Sequence, residues 1–550
     1  MVSGLLYVTM QPQAGLPDAQ FHDWYNTEHG PLRLRLPFIT NGLRYRAVDL
    51  EDEDKKGKGL PEWVALYDVT DMDEMLRETY LALRGDGIKT QREKDTMAQI
   101  AVDRMLFDLV DDSRADDFRP VESLDDVAAT GSVLVAVFTT VKPDAEDEYN
   151  RWYREEHCPM LSRVPGWRRT RRFLTAAVDP KAPRQFLALH EYSPQNGLGG
   201  PEHQAATSTA WCSRIEADAV VAKLRRVYKW YYTFGPAPRE LASLASTSVA
   251  GPWSSNDGRT RTLPSTERPA VESFVTTADG VELAYRLEGA TDPNAPLVVL
   301  SNSILVDYHI WDGFVDAFFA RPENAKYRVL RYLTRGRTSN VGSQPVTIDV
   351  LAADIIALLD ALRVPQAAAL IGVSLGGVTV LNTALRYPAR VATFISCDTN
   401  SSAPASNKKA WADRVAMAET EGARSADEPI VGQNLAEVTT RRWFVPATYE
   451  TKPALAERVK QIVASNSLRG FSQAVNALCD YDVRAAMAEA VVPGLFVAGA
   501  SDGILPQTMQ QMAADLKGDA QLKLVEEAGH LPMVEQPQAF EAIVSEFINK

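Results

Sequence analysis

Residues 367–385 read AAALIGVSLGGVTVLNTAL. The run Ala367–Val373 is short and continuously apolar, as a strand buried on both faces must be. Gly372-Val-Ser-Leu-Gly376 then interrupts it with small residues, and Val378–Tyr387 resumes at helical spacing. A serine held on a tight turn between strand and helix is exposed for attack, and glycines let the chain make that turn. The stretch therefore predicts a strand–elbow–helix unit with Ser374 as nucleophile.

The same alternation extends outward on both sides. Val271–Thr277 and Val281–Leu287 read as a hairpin around Asp279-Gly280. Pro296–Ser301, Tyr327–Tyr332, Val391–Ser396, Val492–Ala498 and Gln521–Glu526 read as strands, and Val350–Leu362 as an amphipathic helix. Strands alternating with helices predict a parallel, doubly wound sheet over residues 270–550. Residues 401–490 are mostly helical in pattern and read as a cap inserted over that sheet.

A serine nucleophile needs a base and a carboxylate that orients the base. Of seven histidines, only His530 lies downstream of Ser374, after the final strand. Asp502 follows the strand Val492–Ala498 and is the favoured acid. Asp398, after Val391–Ser396, is its rival, while Asp480 and Asp482 read as connection residues. The oxyanion of such a reaction needs two amide donors. Leu375, just after the nucleophile, supplies one, and the loop after Pro296–Ser301 supplies the other at Ile304, with Ser303 as the neighbouring alternative.

Residues 271–550 resemble the α/β-hydrolases, and within them the 3-oxoadipate enol-lactonases. The resemblance rests on LSNS at 300–303, RYLTRGRTS at 331–339, GVSLGG at 372–377, RRWF at 441–444, and AGASDGILP at 498–506 ahead of Gly529-His530. It implies an α/β-hydrolase fold with a helical cap and hydrolysis of a lactone or ester through an acyl-enzyme, in the setting of aromatic-compound catabolism. The family's D-x-R-G-H-G-x-S stretch is here Leu333-Thr-Arg-Gly-Arg-Thr-Ser-Asn340, without the Asp, the His and the second Gly. An anionic lactone would need a cation, for which Arg335, Arg441 and Arg442 are candidates; Trp443 is a further substrate-contact candidate.

The N-terminal half carries a repeat. Residues 24–37 read WYNTEHGPLRLRLP and residues 152–165 read WYREEHCPMLSRVP, identical at seven of fourteen positions at a constant offset of 128. Each copy sits in a β-α-β-β-α-β order, the ferredoxin-like unit. The expected organisation is one such unit over 1–118, a second over 119–234, and a Pro/Gly/Ser/Thr-rich linker over 235–269. Two such sheets, each with an uncovered apolar face, are expected to pack into one pseudo-symmetric barrel. The W-Y-x-x-E-H-x-P core resembles the EthD-like dimeric α/β-barrel proteins. That resemblance makes His29 and His157 candidates for catalysis or ligand binding. The alternatives are a barrel that isomerises or decarboxylates the lactone, and a non-catalytic module for assembly or ligand binding. Exposed sheet edges on such units promote homo-oligomers.

Composition bounds the partners. Lys+Arg is 58 against Asp+Glu 72, a net charge of -14, which disfavours nucleic acid and anionic membranes. The four cysteines, Cys158, Cys212, Cys397 and Cys479, form no CxxC pair and suggest reduced thiols in the cytoplasm. No third ligand at metal spacing accompanies Glu28/His29 or Glu156/His157, so neither metal nor cofactor is expected. The partner expected is a small-molecule lactone or ester.

Overall fold

The computed structural model describes residues 2–85, 87–246, 248, 251–518 and 520–550. The chain divides into two compact units, residues 1–243 with 248–257, and residues 244–247 with 258–550.

The first unit is a closed barrel of eight antiparallel strands: β1 (Gly4–Pro12), β2 (Leu43–Ala47), β3 (Trp63–Val69), β4 (Ile100–Arg114), β5 (Val133–Val141), β6 (Trp167–Thr175), β7 (Phe186–Tyr192) and β8 (Val220–Thr233). Around the barrel they run β1-β3-β2-β8-β5-β7-β6-β4. The last strand of each copy is longer than its sequence pattern suggested, and these two strands close the barrel by pairing with the other copy. Residues Asp111–Arg114 of β4 pair with Arg169–Arg172 of β6, and the end of β8 pairs with β2 through Thr233 and Leu43. Closure removes the sheet edges that would otherwise invite further pairing.

Alternation along each strand sorts the core. Leu5 and Tyr7 of β1 join Leu134 and Phe138 of β5 in the cluster inside the barrel. Leu6 and Val8 face outward and pack under Phe21, Trp24 and Tyr25. In the second copy Val135 and Val137 pack under Tyr149, Trp152 and Tyr153. Burial of a ring the size of Trp24, only 1% exposed, contributes roughly 4 kcal/mol before entropy is charged against it.

The repeated motif is not a plain helix. Tyr25–His29 and Tyr153–His157 each form a π-helical turn between two short α-helical segments. Each turn brings its histidine onto the face that carries its tryptophan: Trp24 and His29 lie 4.7 Å apart, Trp152 and His157 4.4 Å. Arginines at the same offset of 128 cover the tyrosines, with Arg44 4.5 Å from Tyr25 and Arg172 4.2 Å from Tyr153. Part of the polar stretch after β8 is tied to this unit. Arg239, 1% exposed, bonds both oxygens of Asp126, and the Trp253 ring lies 3.9 Å from the Arg92 guanidinium.

The second unit carries β9 (Arg261–Leu263), β10 (Ala270–Thr276), β11 (Glu282–Gly289), β12 (Leu297–Ser301), β13 (Arg328–Tyr332), β14 (Ala369–Val373), β15 (Phe394–Cys397), β16 (Gly494–Gly499) and β17 (Gln521–Val525). Their order is β17-β16-β15-β14-β12-β13-β11-β10-β9. From β13 through β17 neighbours are parallel, while β9, β10 and β11 add an antiparallel flank. The inner parallel strands β12, β14, β15 and β16 are wholly buried, which explains why they read as nearly unbroken apolar runs, whereas the edge strand β17 is largely exposed. Helices from Asn407–Glu421 to Arg484–Met487 form the insertion between β15 and β16. Among the described residues, no helix is long and apolar enough to cross a membrane.

Candidate active site

Three loops leave the C-terminal ends of parallel strands and converge, the usual place for a site in such a sheet. Ser374 follows β14, Asp502 follows β16, and His530 follows β17.

Ser374 has φ 57° and ψ −117° at the head of helix Leu375–Arg386. A non-glycine residue in that region costs on the order of 1–3 kcal/mol, so its surroundings must hold it. Its amide donates to the Cys397 carbonyl at 2.8 Å, and its carbonyl accepts from Val378 at 3.1 Å. The glycines around it are sterically required. A Cβ on Gly372 would lie 2.1 Å from the Gly376 carbonyl, and one on Gly376 would lie 2.3 Å from the Ser301 carbonyl. The second of these contacts brings the loop after β12 directly against the elbow.

That loop is itself pinned. Asn302 donates to the Tyr332 carbonyl at 2.7 Å and accepts from the Trp311 indole at 2.9 Å. Among the described residues, no acceptor takes the amide of Ile304 or of Leu375. The Ser303 hydroxyl is buried without a partner among them.

His530 Nδ1 bonds Asp502 Oδ2 at 2.7 Å, with side-chain exposures of 12% and 16%. Asp398 does not take this place. Its Oδ1 accepts from the Gly499 amide at 2.9 Å, and its carboxyl is hydrogen-bonded to that of Asp502 rather than to the imidazole. Oxygens of both carboxyls and a nitrogen of His530 nevertheless fall within 4.8 Å of one another. Burial, and then the charge of Asp502, push the Asp398 carboxyl well above the usual range. Burial also raises Asp502, but the charge and hydrogen bond of His530 outweigh it and leave Asp502 lowered. Burial and mutual repulsion thus push the two carboxyls apart, favouring a proton on Asp398 and the charge on Asp502.

Trp443 from the cap stacks on His530, with ring centres 5.8 Å apart and planes 23° from parallel. Its carbonyl accepts the His530 amide at 2.7 Å. Glu535, fully buried, accepts from Gly529 at 2.6 Å and from Val445 at 3.0 Å, joining the histidine loop to the cap. The sequence reading missed Glu535; the signal was a carboxylate five residues after the histidine, in an otherwise apolar run.

The three candidate arginines have different fates. Arg335 is 4% exposed and bonds Asp279 at 2.6 and 3.0 Å and Asp354 at 2.9 and 2.7 Å. Its guanidinium holds a loop to a turn and a helix, so the expectation that it meets substrate is corrected. Arg441 lies on the surface, bonded to Glu437 at 2.8 Å and 4.0 Å from the Tyr449 ring. Arg442 has no ion pair among the described residues. Although its side chain reaches solvent, the protein around it desolvates the guanidinium. That desolvation, and then Arg414, push it down to about 10, while the charge of Asp502 acts in the opposite sense.

The sequence profile of the alpha/beta hydrolase family matches residues 298–543. The 3-oxoadipate enol-lactonase 2 of Acinetobacter baylyi is 32% identical over 276 residues, which is 49% of this chain and 96% of that protein. This chain belongs to the α/β-hydrolase family. The 3-oxoadipate enol-lactonase 1 of the same organism is 29% identical, over 50% of this chain and 96% of its own length. A solved structure of the enol-lactonase from Burkholderia xenovorans LB400 aligns at 27% identity and a TM-score of 0.45, over 50% of this chain and all of that one. The family match lies within the second unit and leaves the barrel outside it.

Proposed function

We propose that the α/β-hydrolase unit opens a small lactone or ester by nucleophilic catalysis at Ser374. The observation that carries this reading is a strained serine at the end of β14, with the His530–Asp502 bond of 2.7 Å on the adjoining loops. In this mechanism His530 removes the hydroxyl proton through Nε2 as Ser374 attacks the carbonyl carbon. Asp502, through Nδ1–H, fixes the tautomer and stabilises the imidazolium. The amides of Leu375 and Ile304 receive the developing oxyanion. The ring or ester C–O bond then breaks, the proton on His530 passes to the leaving oxygen, and an acyl-enzyme remains. Water, deprotonated by His530, releases the acid and restores Ser374.

The relatives named as enol-lactonases favour an enol-lactone intermediate of aromatic-compound breakdown as substrate. Arg442 is then the cation for its carboxylate, being an arginine with no ion pair among the described residues that feels the charge of Asp502. In the barrel, each copy has the strand order 4-1-3-2, which supports reading it as two ferredoxin-like units of the EthD-like kind.

The test combines labelling with turnover. A fluorophosphonate should label Ser374, and the full chain should open 3-oxoadipate enol-lactone. Absence of label on Ser374 in protein that hydrolyses the lactone would overturn the mechanism.

A further inference from the structure

The duplicated motif produces two unequal environments. In the first copy His29 Nδ1 is bonded to Glu93 Oε1 at 2.8 Å, and both side chains are buried. The Tyr25 and Tyr67 hydroxyls meet at 3.1 Å. Phe234 stacks on both rings, at 5.5 and 6.1 Å, and lies so close to Gly30 that a Cβ there would be 2.4 Å away. Trp24, Tyr25 and Glu93 thus pack directly on His29.

The corresponding residues of the second copy are smaller. Thr90 caps its helix and bonds Glu28 at 2.5 Å; Thr209 caps its helix and bonds Glu156 at 2.5 Å. Three residues after each threonine stand Glu93 and Cys212. Tyr67 pairs with Leu6 on β1, and His190 pairs with Val135 at the matching place on β5. A carboxylate is thus replaced by a thiol and a tyrosine by a histidine. A cavity of about 270 Å³ lies where they are, lined among others by Val135, Tyr149, His157, His190, Cys212 and Arg225. An apolar cavity of about 150 Å³ accepts benzene, so this one has room for one ring with substituents.

Its polar groups define the ligand further. Nδ1 of His157 faces the Ala206 carbonyl at 3.2 Å and must donate to it. Burial holds this imidazole neutral, down to about 3, so its Nε2 is left as an acceptor. Lys223 is paired with Glu216. Arg225 is half-buried and has no ion pair among the described residues. After burial and His157, its charge is the next influence lowering His190.

We propose that this cavity in the second copy is a binding site for a small single-ring carboxylate bearing a hydroxyl group. The hydroxyl donates to His157 Nε2, the carboxylate pairs with Arg225, and the ring fills the apolar space beside Val135 and Tyr149. The site lies within the barrel unit and is independent of hydrolysis at Ser374.

Calorimetric titration of the full chain with 4-hydroxybenzoate tests this. Saturable binding is expected. Benzoate, lacking the hydroxyl, should bind about tenfold more weakly, the loss of one hydrogen bond to a buried acceptor. Arg225→Gln should weaken 4-hydroxybenzoate at least about tenfold. Cys212→Phe should abolish binding by filling the cavity, with an unchanged circular dichroism spectrum and unfolding transition in both variants as evidence that the barrel is folded. Arg442→Gln should leave the affinity unchanged. Absence of saturation up to about 10 mM would overturn the proposal. So would binding that Arg442→Gln removes and Arg225→Gln leaves intact, because the probe would then occupy the hydrolase site.

Discussion

Asp502 and Asp398 stand beside the same imidazole, yet only Asp502 bonds it, at 2.7 Å from Nδ1. Asp398 is 1% exposed and spends one oxygen on the Gly499 amide. Two carboxyls this close cannot both ionise cheaply in a buried place. Asp502 is the one that His530 hydrogen-bonds, and the division of roles follows from that.

The two acids should therefore respond oppositely to amidation. Asp502→Asn removes the acceptor of the Nδ1 proton and favours the wrong tautomer, so kcat should fall on the order of 10⁴-fold. Asp398→Asn replaces a neutral group by a neutral group and should stay within about tenfold of wild type. Steady-state kinetics on one ester substrate compares them; equal losses would show that Asp398 acts as a charge.

Ser374→Ala should abolish hydrolysis with an unchanged fold, since loss of the nucleophile typically costs on the order of 10⁴–10⁶ in rate. Circular dichroism checks the fold and turnover the chemistry. A variant that keeps more than about a tenth of wild-type turnover would exclude Ser374 as the nucleophile.

Arg442→Gln should raise KM for a carboxylate-bearing lactone by about tenfold or more with little change in kcat, the signature of lost uniform binding. A neutral ester of similar size should be unaffected. An equal rise for both substrates would mean that Arg442 supports the cap rather than an anion.

Asp279→Asn tests the fate of Arg335. The Arg335 hydrogen bond holds the Asp279 carboxyl down to about 2, against an ordinary 3.8. A depressed carboxylate stabilises the fold above its unfolded value, and that stability is lost as pH falls through the folded one. The urea midpoint of unfolding, followed by circular dichroism, should therefore be lower in the variant at pH 7, and the gap should close as pH falls from 3.8 toward 2. A gap that is constant with pH would remove the ion pair from the explanation.

The elbow was legible because its demands are local. Gly372 and Gly376 have no room for a Cβ, and a buried parallel strand must be apolar throughout, so the requirements appear as consecutive letters. The repeat was legible for the same reason: Trp24, Tyr25, Glu28 and His29 lie within one π-helical turn and its neighbours, and the second copy needs the same residues at the same spacing. Chain order left His530 as the base and favoured Asp502 over Asp398, but it did not show that these two acids, more than a hundred residues apart, meet across β15 and β16 beside the same imidazole. It could not tell that Arg335 is committed to Asp279 and Asp354 while Arg442 is not, because ion pairing is decided by which side chains the fold brings together. The open space beside His157 was hidden by changing register. The offset between copies is 128 at the histidines, 123 from Tyr67 to His190 and 119 from Glu93 to Cys212, since the intervening loops differ in length. Sequence determined the elbow and the duplication, through sterics and hydrogen bonds spanning a few residues. Tertiary structure alone decided that Asp398 and Asp502 meet beside His530, that Arg335 is ion-paired, and that a cavity opens beside His157, because each depends on packing between segments distant along the chain.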